Sequence, residues 1–204
     1  MEYFELPQLK IDNEANINAI DSLRDKFQKV DVAYAGHQVT YEEGIEEDAN
    51  DNEWVYYQDV DHGAEFNGHP LVEQIVDDAC KVLNMPKELI VRKQYTKMSP
   101  GWFLNIHRDV ERKVALLVEF KPAGGSISWY NNKKEHTKTL YYGHPVVVNT
   151  GQLHSAKGGT TMTRYGFQLD FDYGMTIDEV YEYYKSSPLS VSYTHLTLPT
   201  KRIV

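Results

Sequence analysis

Apolar and polar positions change their period once along this chain, near residue 89. Before that point the spacing is helical. Between residues 14 and 30, Ile17, Ile20, Leu23 and Phe27 recur at three- and four-residue steps. This predicts an amphipathic helix, with acidic residues early where the helix dipole favours them. Residues 70–83 predict a second helix. Leu71, Ile75, Val76, Ala79 and Leu83 form its apolar stripe, Pro70 suits its first turn, and Asn84 and Pro86 end it. Around these helices, residues 1–10 read as a short edge strand interrupted by Pro7. Residues 53–60, with Trp54, Val55, Tyr56 and Tyr57, read as another strand, and residues 31–52 as a loop.

From Leu89 onward the pattern is that of strands. Leu89-Ile90-Val91 with Gln94-Tyr95-Thr96 reads as one, and residues 102–109 as the next after a Ser99-Pro100-Gly101 turn. Residues 114–120 are almost wholly apolar, as in a strand buried on both faces. Residues 126–130, 137–142 and 145–150 follow, with His154 at the start of another strand. Gly158-Gly159 predicts a hairpin turn leading to a strand over residues 164–171. In that last strand Tyr165, Phe167, Leu169 and Phe171 share one face, while Arg164, Gly166, Gln168 and Asp170 share the other. Such a wall has a packed outer side and a polar inner side. Residues 175–185 predict a third helix along Ile177, Val180, Tyr181 and Tyr184.

The expected fold is mainly β with flanking helices (α+β), an all-β barrel or double-sheet roll with helices packed outside. One domain is expected over residues 1–188: a helical and mixed part to 88, a β core over 89–173, and the closing helix. Residues 191–204 stand apart. They lack an amphipathic pattern, and Val191 to Thr200 resembles an in-frame translation of a transposon-derived sequencing adapter, so this tail is left out of the fold.

Composition narrows the function. The 204 residues are 41% hydrophobic and 25% charged, with a net charge of -9, and the pI is near 5.3. That excess of acid disfavours nucleic acid and anionic membranes as partners, and leaves a small-molecule or peptide substrate. No apolar run reaches the roughly 20 residues of a spanning helix. The N-terminus lacks the basic start and apolar run of a signal peptide, and the lone Cys80 reads as a buried structural thiol. A cytoplasmic location is expected. The acidic residues 42–51 read as a solvated loop, with a lid that attracts basic peptides as the alternative.

The candidate chemistry lies between His107 and Arg164. On a strand His107 and Asp109 point to one face, and His154 supplies a second imidazole. Two His and one carboxylate suit Fe(II) and leave three positions open for a bidentate 2-oxo acid and O₂. Through the predicted hairpin, Arg164 would reach the same mouth and grip a carboxylate in bidentate fashion. His62 and His69 sit beside Gly or Pro in a polar loop and read as surface histidines. His136 reads likewise, and His144, in a Gly-His-Pro turn, is the fallback third ligand. Arg112 either salt-bridges near the metal, reaches a substrate acid, or is a plain surface Arg. Trp102 and Trp129 read as core or pocket walls.

His107-x-Asp109, His154 and Arg164 together resemble the signature of the 2-oxoglutarate/Fe(II)-dependent dioxygenases, over roughly residues 89–171. The resemblance implies a double-stranded β-helix (jelly-roll, cupin-like) core, with His107, Asp109 and His154 as iron ligands and Arg164 as the 2-oxoglutarate anchor. It implies O₂ as co-reactant, and 2-oxoglutarate decarboxylated to succinate as a substrate is hydroxylated. Halogenating members usually replace the carboxylate with a small residue, so Asp109 points to hydroxylation. Residues 95–101 resemble the prolyl-hydroxylase-like branch, in which Tyr95 would help bind 2-oxoglutarate; a core or wall tyrosine is the alternative. Members resembling aspartyl/asparaginyl hydroxylases lack the carboxylate that this chain keeps. A cupin-type metal-binding isomerase or non-catalytic module stays open, and has no need of Arg164.

Overall fold

The computed structural model describes residues 1–22, 28–30, 39–41, 54–58, 69–98, 103–110, 112–121, 124–159 and 162–190. Residues 42–51, His62, Trp102, the 99–101 turn and the 191–204 tail lie outside them.

Two antiparallel sheets face each other. The first has seven strands in the order β1-β10-β7-β12-β5-β4-β2, and the second five, β3-β6-β11-β8-β9. In chain order these are β1 Tyr3–Glu5, β2 Gln28–Val30, β3 Val39–Tyr41, β4 Trp54–Gln58, β5 Ile90–Met98 and β6 Phe103–Asp109. They continue with β7 Val114–Glu119, β8 Ser126–Tyr130, β9 His136–Tyr141, β10 Val146–Asn149, β11 His154–Lys157 and β12 Arg164–Phe171. The described helices are α1 Asn13–Ser22, α2 Pro70–Leu83 and α3 Ile177–Ser186. The alternating sheets make the expected double-stranded β-helix.

The seven-stranded sheet separates two cores. Val114, Leu116 and Val118 of β7, Phe167 and Leu169 of β12, and Tyr95 of β5 face the helices. There they meet Val72, Ile75, Val76, Ala79, Val82 and Leu83 of α2, each Val, Ile or Leu side chain worth about 1.5–3 kcal/mol on full burial. Ala115, Leu117, Val146 and Val148 face inward instead, onto Ile127, Trp129 and Leu140 of the other sheet. Tyr3 stacks on Trp129 with ring centroids 5.5 Å apart, closing this end of the roll.

Capping explains the helix ends. Asp12 accepts from Ala15 N–H at 3.0 Å to start α1. Asn84 turns left-handed (φ 55°) to end α2. Thr176 and Glu179 form a reciprocal capping box on α3.

Three expectations are corrected. The first helix does not run to Val30, because residues 28–30 pair as a strand with β4. The 31–52 stretch is not all loop, since Val39–Tyr41 pairs with β6. The strands around Gly158-Gly159 do not form a hairpin: β11 pairs with β6 and β8, whereas β12 pairs with β5 and β7 in the other sheet.

An ion-pair cluster ties α2 to β5. Glu73 accepts from Lys87 Nζ at 2.7 Å and from Lys93 Nζ at 2.6 Å, and the two lysines hold its carboxyl down to about 2. A depressed carboxyl pKa stabilises the fold above its unfolded value, and that contribution is lost as pH falls. Glu73→Gln should therefore cost about 1 kcal/mol at pH 7 in denaturant titrations. The deficit should shrink as pH falls from about 4.5 toward 2. A deficit independent of pH would remove the ion pairs as its cause.

Candidate metal and cosubstrate site

The register of two neighbouring strands builds the centre of the site. His107 on β6 lies directly opposite His154 on β11. Directly opposed residues project from the same face of a sheet, and here the rings sit with centroids 4.2 Å apart. Asp109, two residues on, joins them on that face. All three are buried, at 1%, 5% and 3% exposure. One ligand atom from each lies within 4.8 Å of the others. The register shifts after His154, an irregularity of the kind that re-aims a side chain. Backbone contacts across the neighbouring loop hold the two halves together. Asp109 N–H donates to Thr150 O, and Thr150 N–H and Gly151 N–H donate to Lys113 O.

The protonation states suit a metal. His154 Nδ1 lies 2.9 Å from the Gln152 carbonyl, which can only accept, so Nδ1 carries the proton. Burial, then the neighbouring His107, pushes the His154 pKa down to about 3, against the pull of Asp109 and the Gln152 carbonyl. The ring is thus neutral with Nε2 bare. Asp109 is ionised for the opposite reason. Burial pushes its carboxyl up, but the Arg112 guanidinium, joined by the imidazoles wherever they are protonated, outweighs it and holds the pKa below the usual value.

The two oxygens of Asp109 have different surroundings. Oδ2 accepts from Arg112 Nε at 2.7 Å and from Nη2. Oδ1 is buried with no hydrogen-bond partner among the described residues, 3.7 Å from His107 Nε2. A buried anionic oxygen without a donor is costly unless a cation meets it. The donor set fits a divalent metal on this ground.

Arg112 continues inward. Its Nη1 lies 3.4 Å from Asp170 Oδ1, which also accepts from Gln168 Nε2 at 2.7 Å. Asp170 Oδ2 accepts from Arg92 Nε at 2.5 Å. The result is a buried series of alternating charge, Asp109–Arg112–Asp170–Arg92. Arg112 thus makes a salt bridge to Asp109, the carboxylate of the candidate metal cluster.

Arg164 stands on the other sheet, at the opposite end of the inward face of β12 from Asp170. Its guanidinium lies over the Tyr142 ring, 4.2 Å from the centroid, with Nε 3.5 Å from Glu119 Oε1. Burial raises the Tyr142 pKa, with Glu119 adding to it and Arg164 opposing it. Gly125 permits this packing: a Cβ there would come 3.0 Å from Tyr142 and 2.9 Å from Lys157 O.

Other expected residues fall elsewhere. Tyr95 turns its ring to the helix side, between Phe120 and Phe167, and donates its hydroxyl to Asn16 Oδ1 at 2.6 Å. It is a core tyrosine, one position out of phase with the inward residues Arg92, Gln94 and Thr96, so its cosubstrate role is withdrawn. His144 is exposed in the turn before β10 and joins no metal-ligand cluster among the described residues, so it does not serve as the fallback ligand there. His136 is exposed and bonds Thr139 Oγ1. His69 caps α2 from a half-buried position. Trp129 is a buried inner wall beside His154, donating Nε1–H to Asn149 O. Cys80 is half-buried on α2, with burial pushing its thiol up to about 11.

Arg92, Glu119 and Tyr142 were not foreseen, and Gln168 and Asp170 were expected on the inner face but without a part in the site. Glu119 had a signal, as the single charge in the apolar run 114–120.

No family model and no curated protein matches the sequence. Solved structures do match. SnoK, a non-haem α-ketoglutarate-dependent carbocyclase from nogalamycin biosynthesis, superposes with a TM-score of 0.51 at 11% identity, over 89% of this chain and 86% of its own. The chain shares its fold with the 2-oxoglutarate/Fe(II) oxygenases. HygX from Streptomyces hygroscopicus, solved with nickel and 2-oxoglutarate, gives 0.49 at 11% identity over 86% of this chain and 84% of its own. A prolyl-4-hydroxylase from Pseudomonas putida gives 0.48 at 9%, over 84% and 92%. At these identities the likeness concerns the fold, and site roles rest on the geometry above.

The contact between Arg112 and Asp109 yields a test. Arg112→Met keeps the stem and removes the donors that fix Oδ2. It should weaken metal binding about 10–100-fold, as loss of a group that orients a ligand does. Metal titration followed by calorimetry reads this out; unchanged affinity would show that Arg112 does not orient the carboxylate.

Proposed function

We propose that the protein is an Fe(II)/2-oxoglutarate-dependent dioxygenase that hydroxylates a peptide side chain or a small metabolite, in the cytoplasm. The observation that carries this reading is the buried His107–Asp109–His154 cluster, with Asp109 Oδ1 unpartnered and an arginine held inside the same roll. Two imidazoles and one carboxylate hold Fe(II) through one face and leave open positions, which suits this chemistry better than a closed structural site. When bound, iron and 2-oxoglutarate supply the oxidising power, with decarboxylation to succinate and CO₂.

The protein's own residues do the rest. His107 and His154 present imidazole nitrogens, His154 through a bare Nε2. Asp109 presents Oδ1 while Arg112 holds Oδ2, which fixes the carboxylate's rotation. Arg164 binds the distal carboxylate of 2-oxoglutarate by paired N–H donors, with its plane fixed by the Tyr142 ring. Trp129, Ile127 and Leu140 keep water from the inner side. Hydroxylation is favoured over halogenation because Asp109 fills the carboxylate position.

Anaerobic titration with Fe(II) and then 2-oxoglutarate tests this reading. A weak visible charge-transfer band that depends on 2-oxoglutarate should appear, and should be lost in His107→Ala. Metal binding with no such band and no succinate release would favour a cupin-type metal module instead. In Arg164→Ala, 2-oxoglutarate should bind about 100-fold more weakly, the loss of two charge-assisted hydrogen bonds, with iron affinity unchanged. Equal 2-oxoglutarate affinity in the variant would remove Arg164 from the site.

A further inference from the structure

The arginine that would hold the cosubstrate already has a carboxylate beside it. Glu119 and Arg164 are both 5% exposed, with Oε1 3.5 Å from Nε. Their placement follows from register: Glu119 pairs with Gly166 on β12, two residues from Arg164, so both side chains project inward from neighbouring strands. Gly166, opposite Glu119 and two residues from Arg164, carries no side chain. A Cβ there would lie 2.9 Å from Val118 O and Thr96 Oγ1, and 4.0 Å from Arg164 Nε. The third wall is Tyr142, whose ring lies under the guanidinium. A buried arginine needs a counter-charge, and Glu119 supplies it. It is also a second negative charge where a dicarboxylate's distal end would arrive.

We propose that Glu119 is a built-in competitor for the Arg164 guanidinium, which weakens the site for dicarboxylates and sets how much 2-oxoglutarate is needed to fill it. This rests on the reading of Arg164 as the 2-oxoglutarate anchor. Before binding, Glu119 balances the charge of Arg164. On binding, the incoming carboxylate either takes the guanidinium from Glu119 or shares it, and in both cases meets a like charge in a site shielded from water. An acid without a distal carboxylate meets no such charge. Glu119 is thus a specificity-determining residue that acts through charge on the cosubstrate's far end.

The test compares wild type, Glu119→Gln and Glu119→Asp, each loaded with Fe(II) without oxygen and titrated with 2-oxoglutarate or with 2-oxobutyrate, which keeps the oxo acid and lacks the second carboxylate. Glu119→Gln keeps the shape and removes the charge. It should bind 2-oxoglutarate at least about tenfold more tightly than wild type, and leave affinity for 2-oxobutyrate and iron unchanged. Glu119→Asp, with its carboxylate drawn back by one methylene, should fall between them. Circular dichroism and iron affinity establish that each variant is folded. Equal or weaker 2-oxoglutarate binding by folded Glu119→Gln would overturn the proposal and make Glu119 a group that orients Arg164. Tighter binding of both acids would overturn it too, since the effect would not then lie at the distal carboxylate. Failure of wild type itself to bind 2-oxoglutarate would overturn the anchor reading, and this inference with it.

Discussion

The site depends on one register: His107 opposite His154 across β6 and β11. A slip of one residue would turn the whole of one strand's inward set outward. The chain protects this register twice. The 150–151 turn is bonded to Asp109 and Lys113, and Thr150 Oγ1 donates to Arg112 O. Asp109 is therefore fixed at its backbone through Thr150 and at its side chain through Arg112. Its free oxygen faces His107 because its other oxygen is held.

The interior is divided to match. On β10 and on β7 as far as Leu117 the inward residues are apolar and meet Trp129 and Ile127, and Glu119 ends that run on β7. On β5 and β12 they are Arg92, Gln94, Thr96, Arg164, Gln168 and Asp170, all but Gln168 fully buried. Such a polar half is costly unless each charge is answered. It is answered in two places, by the Asp109–Arg112–Asp170–Arg92 series at one end and by Glu119 with Arg164 at the other. Removing one member of such a group leaves a buried charge and costs about 3–5 kcal/mol. The His107–Asp109–His154 cluster adjoins the first group, and the second holds Arg164.

What the sequence disclosed follows from how far each signal reaches. α2 was legible to the residue, because a strong 3.6 period carries its own ends in Pro70 and Asn84. β12 was legible for the same reason at period two. β3 is three residues long, too short to show a period. The helix expected to reach Val30 gives way at residues 28–30 to pairing with β4, a tertiary effect invisible in local spacing. Gly158-Gly159 marked a change of direction but not which sheet the chain joins next, so the path from His154 to Arg164 was misread. Tyr95 was misread because β5 buries both faces, and alternation cannot show which face looks inward when Arg92 and Gln94 are the inward ones. That His107, Asp109 and His154 come together was legible because chemistry at i and i+2 survives such errors. The roles of Asp170, Arg92 and Glu119 depend on contacts across strands, whereas the Arg112–Asp109 pair is three residues apart and was among the roles open to Arg112.

The central claim is that His107, Asp109 and His154 hold a single Fe(II) ion. Anomalous diffraction at the iron edge, from crystals grown with Fe(II) and 2-oxoglutarate without oxygen, tests it most directly. The account predicts one strong peak within bonding distance of Nε2 of both histidines and Oδ1 of Asp109. A peak elsewhere, or none beside these three atoms, would contradict it.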